Sequence, residues 1–202
     1  MPQTAALQHL AARDPKLAGI LTGPPFKAYR HPDLYRDLLE SIVSQQLSIK
    51  AAATIFARFL ALFPGRQPTP RRVLALPEEK LRAAGLSRQK AGYLRNVAAF
   101  ALHHDVSRAA LRRLGDDEVI ALLTQIKGVG RWTAEMLLMF PLDRPDVLPL
   151  DDLGIQLAMK KLYGLRGHGR GLHRRMAALA EAWRPHRTLA CKYLWRWRST
   201  QR

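Results

Sequence analysis

Two glycines flanking a single residue, Gly128-Val129-Gly130, lie between two stretches of helical periodicity. Upstream, Val119, Leu122, Leu123 and Ile126 recur at the spacing of one helix face. Asp116, Asp117 and Glu118 stand at the start of that run, where acids suit the helix dipole. Downstream, Trp132, Met136, Met139 and Phe140 recur in the same way until Pro141 ends the pattern. The spacing predicts a helical hairpin over about residues 116–140, closed by a very tight turn.

Such a turn leaves backbone N–H groups without intrahelical partners at the start of the second helix. With no side chains in the way, a phosphate can approach those donors, and the dipole favours its charge. The turn then grips a nucleic-acid backbone without reading bases. The plainer alternative is an ordinary helical hairpin with a glycine cap.

A proline-punctuated loop follows, then Pro149-Leu150-Asp151-Asp152, and Ile155, Ala158, Met159 and Leu162 resume a helical pattern. One or both aspartates therefore stand at that helix's first turn, where the dipole favours negative charge. As plain structure, both are N-caps.

The 202 residues carry 33 Lys and Arg against 16 Asp and Glu, a formal charge of +17 that calls for a polyanionic partner, nucleic acid first. With 48% hydrophobic residues the chain is expected to be globular rather than disordered. The single cysteine, Cys191, excludes an internal disulfide and a cysteine-ligated iron–sulfur cluster. The seven histidines show no metal-site spacing, so no metal and no organic cofactor is expected. No signal peptide opens the chain and no apolar run spans a membrane. The expectation is a cytoplasmic, nucleoid-associated protein without a membrane partner.

Ahead of the hairpin, a short helical pattern (Leu7, Leu10, Ala11) breaks at Gly23-Pro24-Pro25. His31 to Gln46 reads as a helix with Pro32 in its first turn, and Ser48 as the N-cap of the next. Pro77 opens a short helix that Gly85 closes, and Tyr93, Leu94 and Val97 lie on another. Arg88, Lys90 and Arg95 read either as phosphate contacts or as a solvated basic face. Gly164 to Arg175 reads as a basic, phosphate-contacting loop, and the last helix as carrying Trp183, Tyr193, Trp195 and Trp197.

Together the hairpin, Arg131-Trp132-Thr133-Ala134, the Asp151-Asp152 pair, Ser44-Gln45-Gln46-Leu47-Ser48 and the closing Trp183-Arg184-Pro185 and Tyr193-Leu194-Trp195 resemble a known family. They are similar to the helix-hairpin-helix DNA glycosylases, in the 3-methyladenine DNA glycosylase II branch. The resemblance covers about Arg30 to Trp195. It implies an all-α, two-lobed helical bundle with the active-site cleft between the lobes. One lobe takes residues 1–30 and 146–202, the other 31–145 with the hairpin.

The resemblance also implies the roles. Asp152 is the catalytic carboxylate, since it has Ile155 three residues on, as the family pattern has. Trp132, Met136 and Trp195 line the base pocket, with Met136 standing where the branch commonly has an aromatic. Gln46, and less directly Leu47, fills the gap left by a flipped base. Lys127, Gly128, Val129, Gly130 and Thr133 contact DNA. Relatives that also cut the strand carry a nucleophilic Lys at the Trp132 position, so base removal without a lysine intermediate is implied. The implied substrate is double-stranded DNA containing alkylated purines such as 3-methyladenine and 7-methylguanine, acted on by a monomer. The competing reading is a non-catalytic helix-hairpin-helix DNA-binding protein.

Overall fold

The computed structural model describes residues 2–27 and 33–201. Among these residues there are thirteen α-helices and no strand. In chain order they are α1 (Pro2–Arg13), α2 (Pro15–Ala18), α3 (Leu34–Ser44), α4 (Ile49–Ala61), α5 (Pro70–Ala75), α6 (Glu78–Ala83) and α7 (Arg88–His103). Then follow α8 (Arg108–Arg112), α9 (Asp116–Leu123), α10 (Arg131–Met139), α11 (Leu153–Tyr163), α12 (Gly169–Ala180) and α13 (Arg187–Ser199). Among the described residues no helix is long and apolar enough to cross a membrane. The chain divides into two compact units, Met1–Tyr29 with Leu138–Arg202, and Arg30–Leu137.

In the first unit α11 packs on α13 and on the short α2. Leu10, Leu17, Ile155, Met159, Leu172, Met176 and Leu194 are all fully buried in its core. A charged group sits among them. Asp14 caps α2, its Oδ1 accepting the Leu17 N–H at 2.9 Å. Its Oδ2 accepts the Trp183 indole N–H at 2.8 Å and the Tyr163 hydroxyl at 2.7 Å. Burial pulls the Asp14 carboxyl upward, but the Leu17, Trp183 and Tyr163 hydrogen bonds outweigh it and hold the group below the usual carboxylate value. Three segments distant in sequence are thereby tied to one anion.

Two expectations for this unit are corrected. Trp183 is not on the last helix; it lies in a 3-10 turn, Glu181–Trp183, and Pro185 separates that turn from α13 because proline cannot continue a helix. The stretch from Gly164 to Arg175 is loop only as far as His168. From Gly169 it is helix α12, because Leu172, Met176 and Ala180 fall four apart and bury one face.

In the second unit α7 is the central element, packed against α3, α5 and α6. Asp33, Ser48, Ser87 and Ser107 cap α3, α4, α7 and α8, each accepting a first-turn N–H. The expected helix start at His31 and Pro32, like a boundary at residue 30, lies outside the described residues. That helix ends at Ser44 rather than Gln46, because the chain turns extended at Gln45 and left-handed at Gln46. Phe56, Phe59 and Phe63 form a ladder along α4 and its exit, with ring centroids 6.0 and 5.1 Å apart.

Replacing Asp14 by Asn removes the charge that its three donors serve, and should cost about 1–3 kcal/mol. A group with a depressed folded value contributes stability above its unfolded value, about 3.9, and loses it as pH falls through the folded value. Calorimetry should show Asp14→Asn melting below wild type at pH 7, with the gap shrinking below pH 4. A gap that stays constant would contradict the assignment.

Candidate nucleic-acid and catalytic site

The hairpin forms as its periodicity dictates. Glu118 Oε2 accepts the Gly115 N–H at 2.6 Å and starts α9, and Val119 and Leu123 bury its inner face. The turn is held by Ile126 N–H to Leu123 O at 3.1 Å and Val129 N–H to Ile126 O at 2.9 Å. Its two glycines serve different needs. Gly128 has φ +108°, and a Cβ there would stand 2.3 Å from Cγ of Tyr93. At Gly130 an added Cβ would meet no atom within 4 Å, so that side of the turn is open. Val129 is buried and anchors the turn, as is Thr133, whereas Lys127 and Gly130 are exposed. What Thr133 offers a phosphate is therefore its backbone N–H, whereas the Val129 N–H is already taken by Ile126 O. Regular i to i−4 bonding in α10 starts with Ala134 N–H to Gly130 O at 3.1 Å, so the first-turn donors precede the ladder.

Trp132 and Met136 stand one turn apart on α10. Trp132 is 39% exposed and Met136 half-buried. The loop between α3 and α4 is also exposed. Gln46 adopts φ +58°, a strained choice for a residue with a Cβ that costs roughly 1–3 kcal/mol. Leu47 is 39% exposed.

Of the basic residues along α7, Lys90 and Arg95 bond within the unit. Lys90 Nζ donates to Val43 O at 2.6 Å and Gln45 O at 2.7 Å, at the C-terminus of α3. Burial pulls its ammonium below the ordinary lysine value. Arg95 donates to Leu76 O at 2.7 Å and Leu74 O at 3.0 Å, at the end of α5. Both cations satisfy carbonyls that helix ends leave open, where the dipole favours positive charge. Arg88 pairs with Glu78 at 3.2 Å on the surface. Lys90 and Arg95 are thus committed to backbone carbonyls rather than to a solvated face.

In the other unit Asp152 is the N-cap of α11, its Oδ1 accepting the Ile155 N–H at 2.8 Å. The same oxygen accepts the Trp195 indole N–H at 2.8 Å. The Trp195 ring stacks on Phe140 with centroids 6.0 Å apart, and the Lys192 ammonium lies 5.4 Å from the Phe140 centroid. Burial lowers the Lys192 ammonium from its ordinary value, against an opposing pull from Asp143. Asp151, by contrast, is exposed and lies 3.8 Å from His173.

Gly154 is not among the residues singled out from the sequence, yet it makes this arrangement fit. A Cβ there would come within 2.9 Å of Asp152 Oδ1 and of Trp195 Cδ1 and Nε1. A glycine inside the helical pattern that starts after Asp152 is the signal that could have marked it. Gln45, whose Nε2 donates to Gly128 O at 3.1 Å, was legible only as a neighbour of Gln46.

The helical chain that carries this carboxylate and the open glycine hairpin is similar to known proteins in sequence and in fold. Residues 39–185 match the family model described as HhH-GPD superfamily base excision DNA repair protein. DNA-3-methyladenine glycosylase 1 of Schizosaccharomyces pombe is 38% identical over 176 residues, covering 85% of this chain and 75% of that protein. The solved structure of the S. pombe 3-methyladenine DNA glycosylase in complex with abasic DNA has a TM-score of 0.83 at 35% identity, over 95% of each chain. For the DNA-3-methyladenine glycosidase from Bacillus halodurans the TM-score is 0.83 at 36% identity, over 97% of this chain and 90% of that one. By sequence and by fold, this chain belongs to the HhH-GPD superfamily of base-excision DNA repair proteins.

Proposed function

We propose that the chain is a monofunctional DNA glycosylase of the 3-methyladenine DNA glycosylase II type, with Asp152 as its catalytic carboxylate. Its substrate is a flipped-out alkylated purine, 3-methyladenine or 7-methylguanine, in duplex DNA. The observation that carries the proposal is the Asp152 carboxylate, with Oδ1 held by the Ile155 N–H and the Trp195 indole at 2.8 Å each. The names of the relatives and the match to a glycosylase solved with abasic DNA support it.

N-alkylation places positive charge on the purine and makes it a good leaving group, so little acid catalysis is needed. The N-glycosidic bond breaks with its electron pair going to the base, and positive charge develops on the sugar carbon. A fixed carboxylate stabilises that charge without reorganising at the moment of reaction. Water then adds its oxygen to the sugar carbon and gives its proton to Asp152. The indoles of Trp132 and Trp195, with Met136, are assigned to the base. An electron-rich face favours a cationic purine over a neutral one by roughly 1 kcal/mol or more when desolvated. Trp132 stands where strand-cutting relatives have lysine, so no Schiff base forms. Extruding the base costs a few kcal/mol and leaves a gap, assigned to Gln46 and Leu47.

Incubation with methylated duplex DNA should release modified purines, and Asp152→Asn should lower the single-turnover rate about 10²–10³-fold at unchanged DNA affinity. Borohydride added to the wild-type reaction should trap no protein–DNA adduct. Release no greater than that of the variant would leave only a DNA-binding module, and an adduct would overturn the monofunctional assignment. Gly154→Ala should slow release while melting close to wild type, because its methyl group displaces the Asp152 and Trp195 side chains. Unchanged rates in that variant would show that their alignment does not matter.

A further inference from the structure

Lys90, Tyr93 and Asn96 are three apart along α7 and so share one face. The first binds one end of the Gln46 loop and the other two bind the hairpin. Lys90 Nζ holds the Val43 and Gln45 carbonyls at 2.6 and 2.7 Å. The Tyr93 ring lies beneath Gly128, close enough that no side chain fits there. Asn96 Nδ2 donates to Lys127 O at 3.0 Å. Gln45 closes the circuit, its Nε2 donating to Gly128 O at 3.1 Å. The carbonyls of Lys127 and Gly128 are therefore both occupied from within the unit, as is the carbonyl immediately before Gln46.

The next residue, Gln46, is in a left-handed conformation that a free chain seldom adopts. Such backbone persists only where its surroundings over-determine it. Here the over-determining contacts are the ammonium on one side and the hairpin carbonyl on the other. A loop already ordered in this way does not pay its conformational entropy on meeting DNA.

We propose that Lys90 and Gln45 are positioning residues that lock the Gln46–Leu47 loop to the Gly128-Val129-Gly130 hairpin, so that gap-filling side chains and strand-gripping backbone meet DNA as one preformed surface. This rests on the proposed function, which assigns those two tasks. Neither residue touches the reacting atoms. Both act through the geometry of their neighbours.

The test compares two duplexes of one sequence, one intact and one with a tetrahydrofuran abasic-site analogue. Affinities are measured by fluorescence anisotropy for wild type, Lys90→Met, Lys90→Arg and Gln45→Ala. The abasic duplex presents the gap and the intact one does not, so the ratio of affinities isolates gap filling from phosphate grip. Lys90→Met and Gln45→Ala should each lower wild-type preference for the abasic duplex by about tenfold, the loss expected when a hydrogen bond to a charged or strained group is removed. Intact-duplex affinity should stay within twofold, and Lys90→Arg should recover most of the preference. Loss of affinity by one common factor on both duplexes, or a preference retained in both Lys90→Met and Gln45→Ala, would overturn the lock. Gln45→Ala guards against a folding defect in Lys90→Met, since it removes one half-buried loop amide and leaves the Lys90 ammonium on its two carbonyls. Wild-type base release from methylated duplex is read in parallel. Release with an unchanged ratio refutes the lock alone, and no release refutes the enzymatic reading and the lock with it.

Discussion

One carboxylate oxygen receives two N–H groups that come from different parts of the chain. Asp152 Oδ1 caps α11 through Ile155 and binds the indole of Trp195 on α13. A cap alone fixes a carboxylate near the positive end of a helix. The second donor fixes its rotation as well, and α11 packing on α13 holds that donor in place. Gly154 leaves the room in which the two side chains meet. An anion arranged in advance opposite a developing cation is the kind of stabilisation that lowers a barrier without a conformational cost at the reacting step.

The other unit solves a different problem, holding irregular backbone in a fixed shape. A left-handed glutamine is costly outside its context, and the turn at Gly128 takes a positive φ that glycine tolerates. Helix α7 supports both, through Lys90 and Asn96, which bond to main-chain carbonyls, and through the Tyr93 ring against Gly128. Cations are suited to this because the carbonyl ends of helices are partially negative. Arg95 does the same at the end of α5. A chain of formal charge +17 thus commits some of its positive groups to its own architecture and leaves others, Lys127 among them, to solvent.

The parts of the molecule that were legible in the sequence are those governed by short-range patterns. Glycines around Val129 and apolar spacing on both sides are local signals, and α9 and α10 lie where they indicate. Ser48 and Asp152 cap their helices for the same reason. What could not be read depends on partners far away in the chain. Asp14 and Trp183 are 169 residues apart, and nothing near Asp14 announces that an indole will reach it. Lys90 and Arg95 look like any surface cations, because their acceptors are backbone carbonyls that carry no sequence signature. The basic stretch after Gly164 reads as loop even beyond His168, because glycine and arginine dominate its composition. Its helical half shows only in three apolar residues spaced by four.

In the proposed reaction the Asp152–Trp195 contact acts as a unit. A double-mutant cycle of single-turnover base-release rates for Asp152→Asn, Trp195→Phe and the double variant tests it most directly. Phe keeps an aromatic ring and removes the indole donor. If the indole acts by orienting the carboxylate, Trp195→Phe slows release in the presence of Asp152 and adds nothing once Asn stands there. Losses that simply multiply in the double variant would contradict the account, because the two side chains would then be acting independently.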